Sequence, residues 1–528
     1  MASFHTETKS VVQGSKLLIT IAAMIASLMA VLDISIVNVA LNDIRASFGV
    51  QMDQVAWIST GYMMANVVVI PMTGFFQNRF GLKNYFLFSI ALFIIASVLC
   101  AMSWNLSSLV IFRILQGAGG GAIIPTASTI LISRYPREEQ GMAQAFIGLG
   151  AITGPLLGPT VGGYLIDYSS WHLIFLINLP IGVLALMLAA ASIKIENFIP
   201  SKEKIDKYGF LLLLIGLASL QFILEEGNRD DWFESRIIIF FSIVSLTCLV
   251  TLVVQQLEAK KPMINFRVFL EWNYLISTLI NFMLGTILFG VSFLFSLYCA
   301  NVMQYTPLNI GLLFLKGTFI QILIMPIIGK IVRFIDNRYL IAVGVVIVTI
   351  SLWMNGNLNQ SSSEFDLISI LFLRAIGMSC LFIPLSLIAI MRIKTQELGN
   401  AVGLFNLTRE LGGSIGIAWM STLLVNHIKE FDFLLKVKVN IGNDIAENQL
   451  LLMQKMLVGK VLDSKQAAFQ LLQNRVSLQS TIEAFNAGFL LLAFVFSTSL
   501  FMIFLIKNQR KVILSEKKED EPLRNRAV

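Results

Sequence analysis

The chain is short of charge. Of its 528 residues only 13% are Asp, Glu, Lys or Arg, while 56% are hydrophobic and mean hydropathy is +0.77. That much apolar surface cannot be hidden in a water-soluble protein of this length, and it excludes that class in favour of a polytopic membrane protein. Four cysteines, Cys100, Cys248, Cys299 and Cys380, all lie inside apolar runs, which leaves no disulfide framework. The three histidines, His5, His172 and His427, are isolated, so no metal or cofactor site is read. There is no HExxH, no nucleophile set and no phosphate loop in a soluble context, which argues against an enzyme. The first apolar run is long enough to span and is expected to be a retained helix, not a signal peptide. The net charge of +7 is explained by basic residues flanking membrane spans, so no nucleic-acid partner is read.

What is present is a series of apolar runs of spanning length, at about 20 residues per crossing. Fourteen are expected, at 16–41, 52–77, 82–103, 107–132, 140–165, 171–192, 208–226, 236–257, 273–300, 308–334, 338–357, 364–392, 397–426 and 485–507. One set of short loops carries Arg79, Lys83, Arg134, Arg137, Lys202, Lys204, Lys207, Lys260, Lys261, Arg267, Arg333, Arg338, Arg392 and Lys394. The opposite set holds little beyond Arg45, Arg229 and Arg236. The positive-inside bias therefore predicts that the first set and both termini face the cytoplasm. The lysine-rich segment 427–484 is then outside, and its "NQLLLMQKMLVGKVL" reads as amphipathic helix.

Within "MAVLDISIVNVALNDI" (Met29–Ile44), Asp33 follows sixteen uncharged residues. An ionised Asp at the centre of a lone membrane helix costs about 2.5–3.5 kcal/mol on insertion scales. Two readings compete: a structural polar contact with a neighbouring helix, or a proton carrier facing a water-filled cavity. Asp33 lies eight residues from the outer end of span 1, about 12 Å deep, and Arg113 six residues into span 4, about 9 Å deep. The two charges are expected at similar depth and within reach of each other. Arg113 would stabilise the carboxylate and burial the neutral acid; a site where the two nearly balance can exchange a proton.

The chain also repeats itself. "GFFQNRFGLK" (Gly74–Lys83) after span 2 is echoed by "GKIVRFIDNR" (Gly329–Arg338) after span 10, and "FRILQGAGGG" (Phe112–Gly121) by "LRAIGMSC" (Leu373–Cys380). Repeated halves with a midplane site between them are the architecture of secondary transporters. The expected domains are an N-terminal six-helix bundle (1–192), an inserted helix pair with linkers (193–272), a C-terminal six-helix bundle (273–507, including 427–484) and a cytoplasmic tail (508–528).

Eight segments in order carry a family resemblance over almost the whole chain: "LDISIVNVAL", "GFFQNRFGLK", "RILQGAGGG", "GLGAITGPLLGPTVGG", "WHLIFLINLPIG", "KPMINFRVF", "YTPLNIGLL" and "NLTRELGGSIG". The sequence resembles the fourteen-span drug:proton antiporters of the EmrB/QacA type, within the major facilitator superfamily. The resemblance implies an all-α integral membrane protein of major facilitator fold, two six-helix bundles plus two inserted helices. It implies proton-coupled multidrug efflux by alternating access, with the proton gradient as energy source and no cofactor. The substrates would be lipophilic, often cationic molecules, in the inner membrane of a Gram-negative bacterium. A periplasmic membrane-fusion adaptor and an outer-membrane channel would be partners, with 427–484 either docking the adaptor or capping the cavity. Export of an endogenous metabolite, lipid or siderophore, or a membrane scaffold without transport, are the rival functions.

Residue by residue, the resemblance makes Arg113 a proton-coupling arginine beside Asp33. It makes Gly154, Pro155, Gly158, Pro159, Gly162 and Gly163 a conformational motif of span 5. Four-residue spacing gives this helix a small-residue face, and its prolines can bend it. Gly74, Arg79, Gly81 and Lys83 form the cytoplasmic loop motif, but Asn78 stands where the family usually has an acid and Leu82 where it has a base. Asn42 and Lys316 replace common prolines, and Glu410 a common glutamine. Arg374 and Arg409 are expected near mid-membrane, as counter-charges to an acid or as cavity lining. Glu410, adjacent to Arg409 but about 100° round the helix, is a second candidate proton site. Lys316 is expected either in the cavity or snorkelling outward, and Glu225 and Glu226 are expected to be solvated. "GAGGGA" (Gly117–Ala122) is read as close helix packing. The 39 Phe and 21 Met suit an apolar, aromatic cavity.

Overall fold

With no water in the hydrocarbon to satisfy backbone groups, an apolar run must close its hydrogen bonds within itself, and it does so as helix. The computed structural model describes residues 11–196, 206–439, 444–458 and 463–507. The N-terminal half contains α1 (Lys16–Phe48), α2 (Gln54–Phe80), α3 (Leu82–Ala101), α4 (Leu106–Arg134), α5 (Gln140–Tyr168) and α6 (Leu173–Ser192). The inserted pair is α7 (Lys207–Glu226) and α8 (Arg236–Glu258). The C-terminal half contains α9 (Trp272–Asn301), α10 (Pro307–Ile331), α11 (Asn337–Asn355), α12 (Glu364–Ile390), α13 (Leu398–Lys438), the short α14 (Asp444–Leu457) and α15 (Ser464–Leu505).

Thirteen of these helices are long and apolar enough to cross a membrane. The remaining expected span is α5, a 29-residue helix that runs unbroken through the glycine-rich motif. Helix ends follow local chemistry. Asn105 and Ser363 cap α4 and α12 through reciprocal capping boxes, and Gly49 ends α1 in the left-handed region at φ 64°. Asn42, where a proline is common, leaves α1 free to run on to Phe48, past the expected end at 41.

One element departs from the all-helical expectation. Residues Val11–Gln13 (β1) and Lys194–Glu196 (β2) pair as a small antiparallel ribbon. It ties the segment before α1 to the segment after α6, and Arg134 donates from Nε and Nη2 to the Gly14 carbonyl beside it, at 3.1 and 2.8 Å.

On the side of the basic loops the two halves close on each other. Gly74 of α2 lies against the Gly399–Asn400 backbone of α13, Gly403 against the Ile70 carbonyl, and Gly141 of α5 against Gly329 of α10. Ile132, Ile390, Leu398 and Val402 seal the same level with a small apolar cluster. The inserted α7 lies along α2 and α13, stacking Phe222 on Trp57 at 5.8 Å and donating from Gln221 Nε2 to Ser414 Oγ at 3.1 Å. Beyond it, Asn228 and Trp232 donate to Ser421 and Thr422 of α13, at 3.0 and 2.8 Å.

The glycines of α5 set the position of α1. A Cβ on Gly150, Gly154 or Gly158 would run into Met24, Val31–Leu32 or Ser35, and one on Gly162 into Ile36. Ser35 Oγ donates across this seam to the Gly154 carbonyl at 3.2 Å. Gly163 is a correction to the small-residue face: it points away, with nothing within 4 Å of its Cβ position. At about 100° per residue, Gly163 is turned by about 100°, 140° and 180° from Gly162, Gly158 and Gly154, so it cannot share their row. The run "GAGGGA" of α4 packs as expected, with Gly117 and Gly121 against the α2 backbone and Gly119 against α3.

The contrast between the two kinds of glycine is testable. Gly154→Ala should destabilise by about 1–3 kcal/mol, because the backbone of α1 blocks the new methyl. Gly163→Ala should stay within about 0.5 kcal/mol of wild type. Denaturation in mixed micelles reads both; equal losses would refute the assignment of the seam.

Candidate functional site

Asp33 is brought to the middle of the N-terminal half because α1 is drawn in against the glycine row of α5. Two other helices donate to it, and two more hold its partners. Arg113 Nη1 of α4 donates to Asp33 Oδ2 at 2.5 Å, with the two side chains 1% and 0% exposed. Gln116 Nε2 of α4 and Asn178 Nδ2 of α6 donate to Asp33 Oδ1 at 2.8 and 2.7 Å. The arginine is held in turn: its Nη1 also donates to Gln116 Oε1 at 2.7 Å, and its Nε to the Ile58 carbonyl of α2 at 3.3 Å. Tyr62 of α2 lays its ring under the guanidinium at 4.2 Å. Ser97 of α3 accepts from Gln116 Nε2 at 2.7 Å. The carboxylate therefore has donors on both oxygens and a full counter-charge, which is what a buried charge needs to persist.

Sequence reasoning placed Asp33 and Arg113 at one depth, and the structure joins them directly. It missed Gln116, Asn178, Ser97 and Tyr62. Gln116 was available from spacing, three residues beyond Arg113 and so on the same helix face. Asn178 was visible as an amide in an apolar run, but nothing in the sequence aimed it at Asp33.

The other marked residues divide. Arg409 is buried, donates from Nη2 to Asn406 Oδ1 at 2.6 Å and lies over the Phe382 ring at 5.0 Å. It lines a small void between the halves with Ser128 and Gln144 of the N-terminal half and Ser386 of α12. Glu410 is half-buried, with no hydrogen bond or ion pair among the described residues. Arg374 is buried elsewhere, beside the edge-to-face pair of Phe295 and Phe314. Lys316 is not in a cavity; it is exposed and ion-paired with Glu364 at 2.7 Å. Glu225 is exposed as expected, but Glu226 is a correction: it is 3% exposed and bound by Arg229 at 2.6 Å, because the turn after α7 folds back over it.

In the loop motif, Gly81 takes φ 86° between α2 and α3, Lys83 donates to the Ala190 carbonyl at 2.7 Å, and Arg79 lies beside the Phe80 ring. Asn78 donates to the Gln396 carbonyl of the other half at 3.4 Å, a neutral contact in the place of the family's acid. The backbone of Pro155 and Pro159 is helical; their side chains lie outside the described residues.

Two glycine-packed helical halves, the first of which holds a buried acid–arginine pair, are the build of a membrane transporter. Residues 23–417 match the model of the Major Facilitator Superfamily, and the chain belongs to that family. It is 32% identical over 436 residues to the multidrug export protein EmrB of Haemophilus influenzae, covering 82% of this chain and 86% of that one. It is 30% identical over 497 residues to the multidrug export protein EmrB of Escherichia coli K12, covering 94% and 96%. Among solved structures, the human organic anion transporter MFSD10 shares the fold at a TM-score of 0.58 and 13% identity, covering 92% of this chain and 100% of that one.

Removing one partner of the pair should cost more than removing both. Arg113→Gln leaves the Asp33 charge uncompensated and should destabilise by about 3–5 kcal/mol, whereas Arg113→Gln with Asp33→Asn should recover part of that loss. A double-mutant cycle by denaturation in mixed micelles checks this; strict additivity would show that the pair is not coupled.

Proposed function

We propose that the chain is a proton-coupled exporter of lipophilic, often cationic small molecules, working by alternating access in a bacterial inner membrane. The observation that carries this reading is the Asp33–Arg113 pair with its shell of donors. While ionised, Asp33 binds α1 to α4 and α6. A proton on the carboxylate cancels its charge, removes the attraction to Arg113 and turns one acceptor into a donor that faces other donors. Proton gain and loss therefore favour different packings of the same helices.

On this reading the halves, closed at the basic loops, present the site to the periplasm. A proton taken up there loosens α1 from α4, and the glycine seams let the halves rock until the basic side opens. Substrate binding from the cytoplasm then accompanies release of that proton inward. A potential of 100 mV supplies about 2.3 kcal/mol per charge moved. The relatives named as multidrug export proteins support the drug-efflux reading over most of both chains. The basic loops support cytoplasmic termini by the positive-inside rule.

The segment beyond the membrane is read as the docking surface of a periplasmic adaptor that leads to an outer-membrane channel. Helix α13 has 41 residues, about 62 Å of helix against about 30 Å of hydrocarbon. Its far end, α14 and the start of α15 leave Phe433, Leu451, Leu452, Met456 and Phe469 exposed. Exposed apolar groups outside the lipid mark an interaction surface.

Substrate-driven proton release tests the central step. Adding tetraphenylphosphonium to purified protein in weak buffer should acidify the solution for wild type and not for Asp33→Asn. Gradient-driven efflux from proteoliposomes should fall about tenfold or more in that variant. Release that survives in Asp33→Asn would move the proton site to Glu410, and undiminished gradient-driven efflux would refute the proposal. Replacing Leu451, Leu452 and Met456 by Ser should leave efflux from proteoliposomes intact while abolishing resistance in cells; intact resistance would remove the docking role.

A further inference from the structure

The halves are built alike, and the point where they differ marks a second site. Gly154 and Gly158 of α5 pack on Val31–Leu32 and Ser35 of α1, and Gly412 and Gly416 of α13 pack on Phe282 and Thr286 of α9. Helix α9 is thus the counterpart of α1, and the position of Asp33 falls at the buried Leu284. Arg374 stands in α12 where Arg113 stands in α4, and the place of Gln116, three residues on, is taken by Gly377. The C-terminal half has kept the arginine without its acid or its amide.

Arg374 is 6% exposed and makes no hydrogen bond or ion pair among the described residues. Its Nη1 is buried with no partner, and the rings of Phe295 and Phe314 lie over the guanidinium at 5.9 Å each. The two acids of its own helix are engaged elsewhere: Glu364 holds Lys316, and Asp366 closes the cap of α12 with Ser363. Ring faces recover only part of what an unpaired buried charge loses. The two rings meet edge to face at 5.5 Å beside the guanidinium, and Phe314, half-buried, is the more accessible of them.

We propose that Arg374 anchors an anion subsite in the C-terminal half, taking the single anionic oxygen head, carboxylate or phosphate, of an amphiphile whose apolar body lies along Phe314. The fork of Arg374 would supply the charge-assisted hydrogen bonds that Arg113 gives to Asp33. This rests on the exporter reading only where the bound anion is cargo; the binding itself does not.

The test uses the full chain in phosphatidylcholine nanodiscs with 2-naphthoate and its neutral counterpart 2-naphthamide, titrated by calorimetry. Wild type should bind naphthoate about tenfold or more tightly than naphthamide. Arg374→Gln should lose that preference, leaving naphthamide unchanged, and Arg374→Lys should keep part of it. Should Arg374→Gln not fold, Phe314→Asp decides: an internal acid beside the guanidinium, where the Phe314 ring now lies at 5.9 Å, should occupy it and abolish the preference for naphthoate. No preference in wild type, or a preference that survives Arg374→Gln or Phe314→Asp in folded protein, overturns the proposal. Repeating the titration with phosphatidylglycerol identifies the occupant. Weaker naphthoate binding in wild type alone means a lipid head, and unchanged binding means a cargo acid. Protein that exports tetraphenylphosphonium yet ignores the charge of naphthoate overturns this inference alone. Protein that binds naphthoate through Arg374 yet exports nothing overturns the export reading alone.

Discussion

The structure turns on one desolvated ion pair. An ionised carboxylate and a guanidinium are both expensive inside a membrane, and neither survives there unless the other is in place. Asp33 and Arg113 meet with both side chains fully buried, and donors from Gln116 and Asn178 satisfy the second carboxylate oxygen. Helices α1, α2, α3, α4 and α6 must all converge for this to happen. The pair is therefore a constraint on the packing of the whole N-terminal half, and a change in its charge acts on all five helices at once.

What permits the convergence is the absence of side chains elsewhere. Association of helices in lipid depends on close packing, and glycine rows allow backbones to approach. Gly150, Gly154 and Gly158 of α5 hold α1 near enough for Asp33 to reach inward, and Gly117 and Gly121 of α4 hold α2 near enough for Tyr62 to lie under Arg113. The C-terminal half repeats the scheme with Gly412 and Gly416 against α9. Shared packing with unshared polar content explains how one arginine can be internally neutralised and its counterpart left with two phenylalanine rings.

The seam between the halves is built differently. Its contacts on the basic side are backbone against backbone at Gly74, Gly141 and Gly403, with the neutral hydrogen bond of Asn78. Such contacts carry little charge to desolvate or re-solvate, so they can part and reform at low cost. The inserted α7 lies across the same seam through Trp57, Gln221 and Ser414. That placement gives the inserted α7 a part in joining the halves.

The sequence by itself determined most of the spans, the likeness of the halves and that the two key charges lie within reach of each other. Each depends on a linear quantity: a run of apolar residues, an interval between repeats, or a rise per residue. Linear quantities cannot say which way a helix is turned about its axis. That rotation decided that Gly163 faces away from α1, that Glu226 is covered, that Lys316 finds Glu364, and that Asn178 rather than some other amide completes the shell of Asp33. It also decided that Arg374, identical in kind to Arg113, has no acid to meet. Rotation is set by which faces of several helices can approach together, and only the packed tertiary structure satisfies all of those contacts at once.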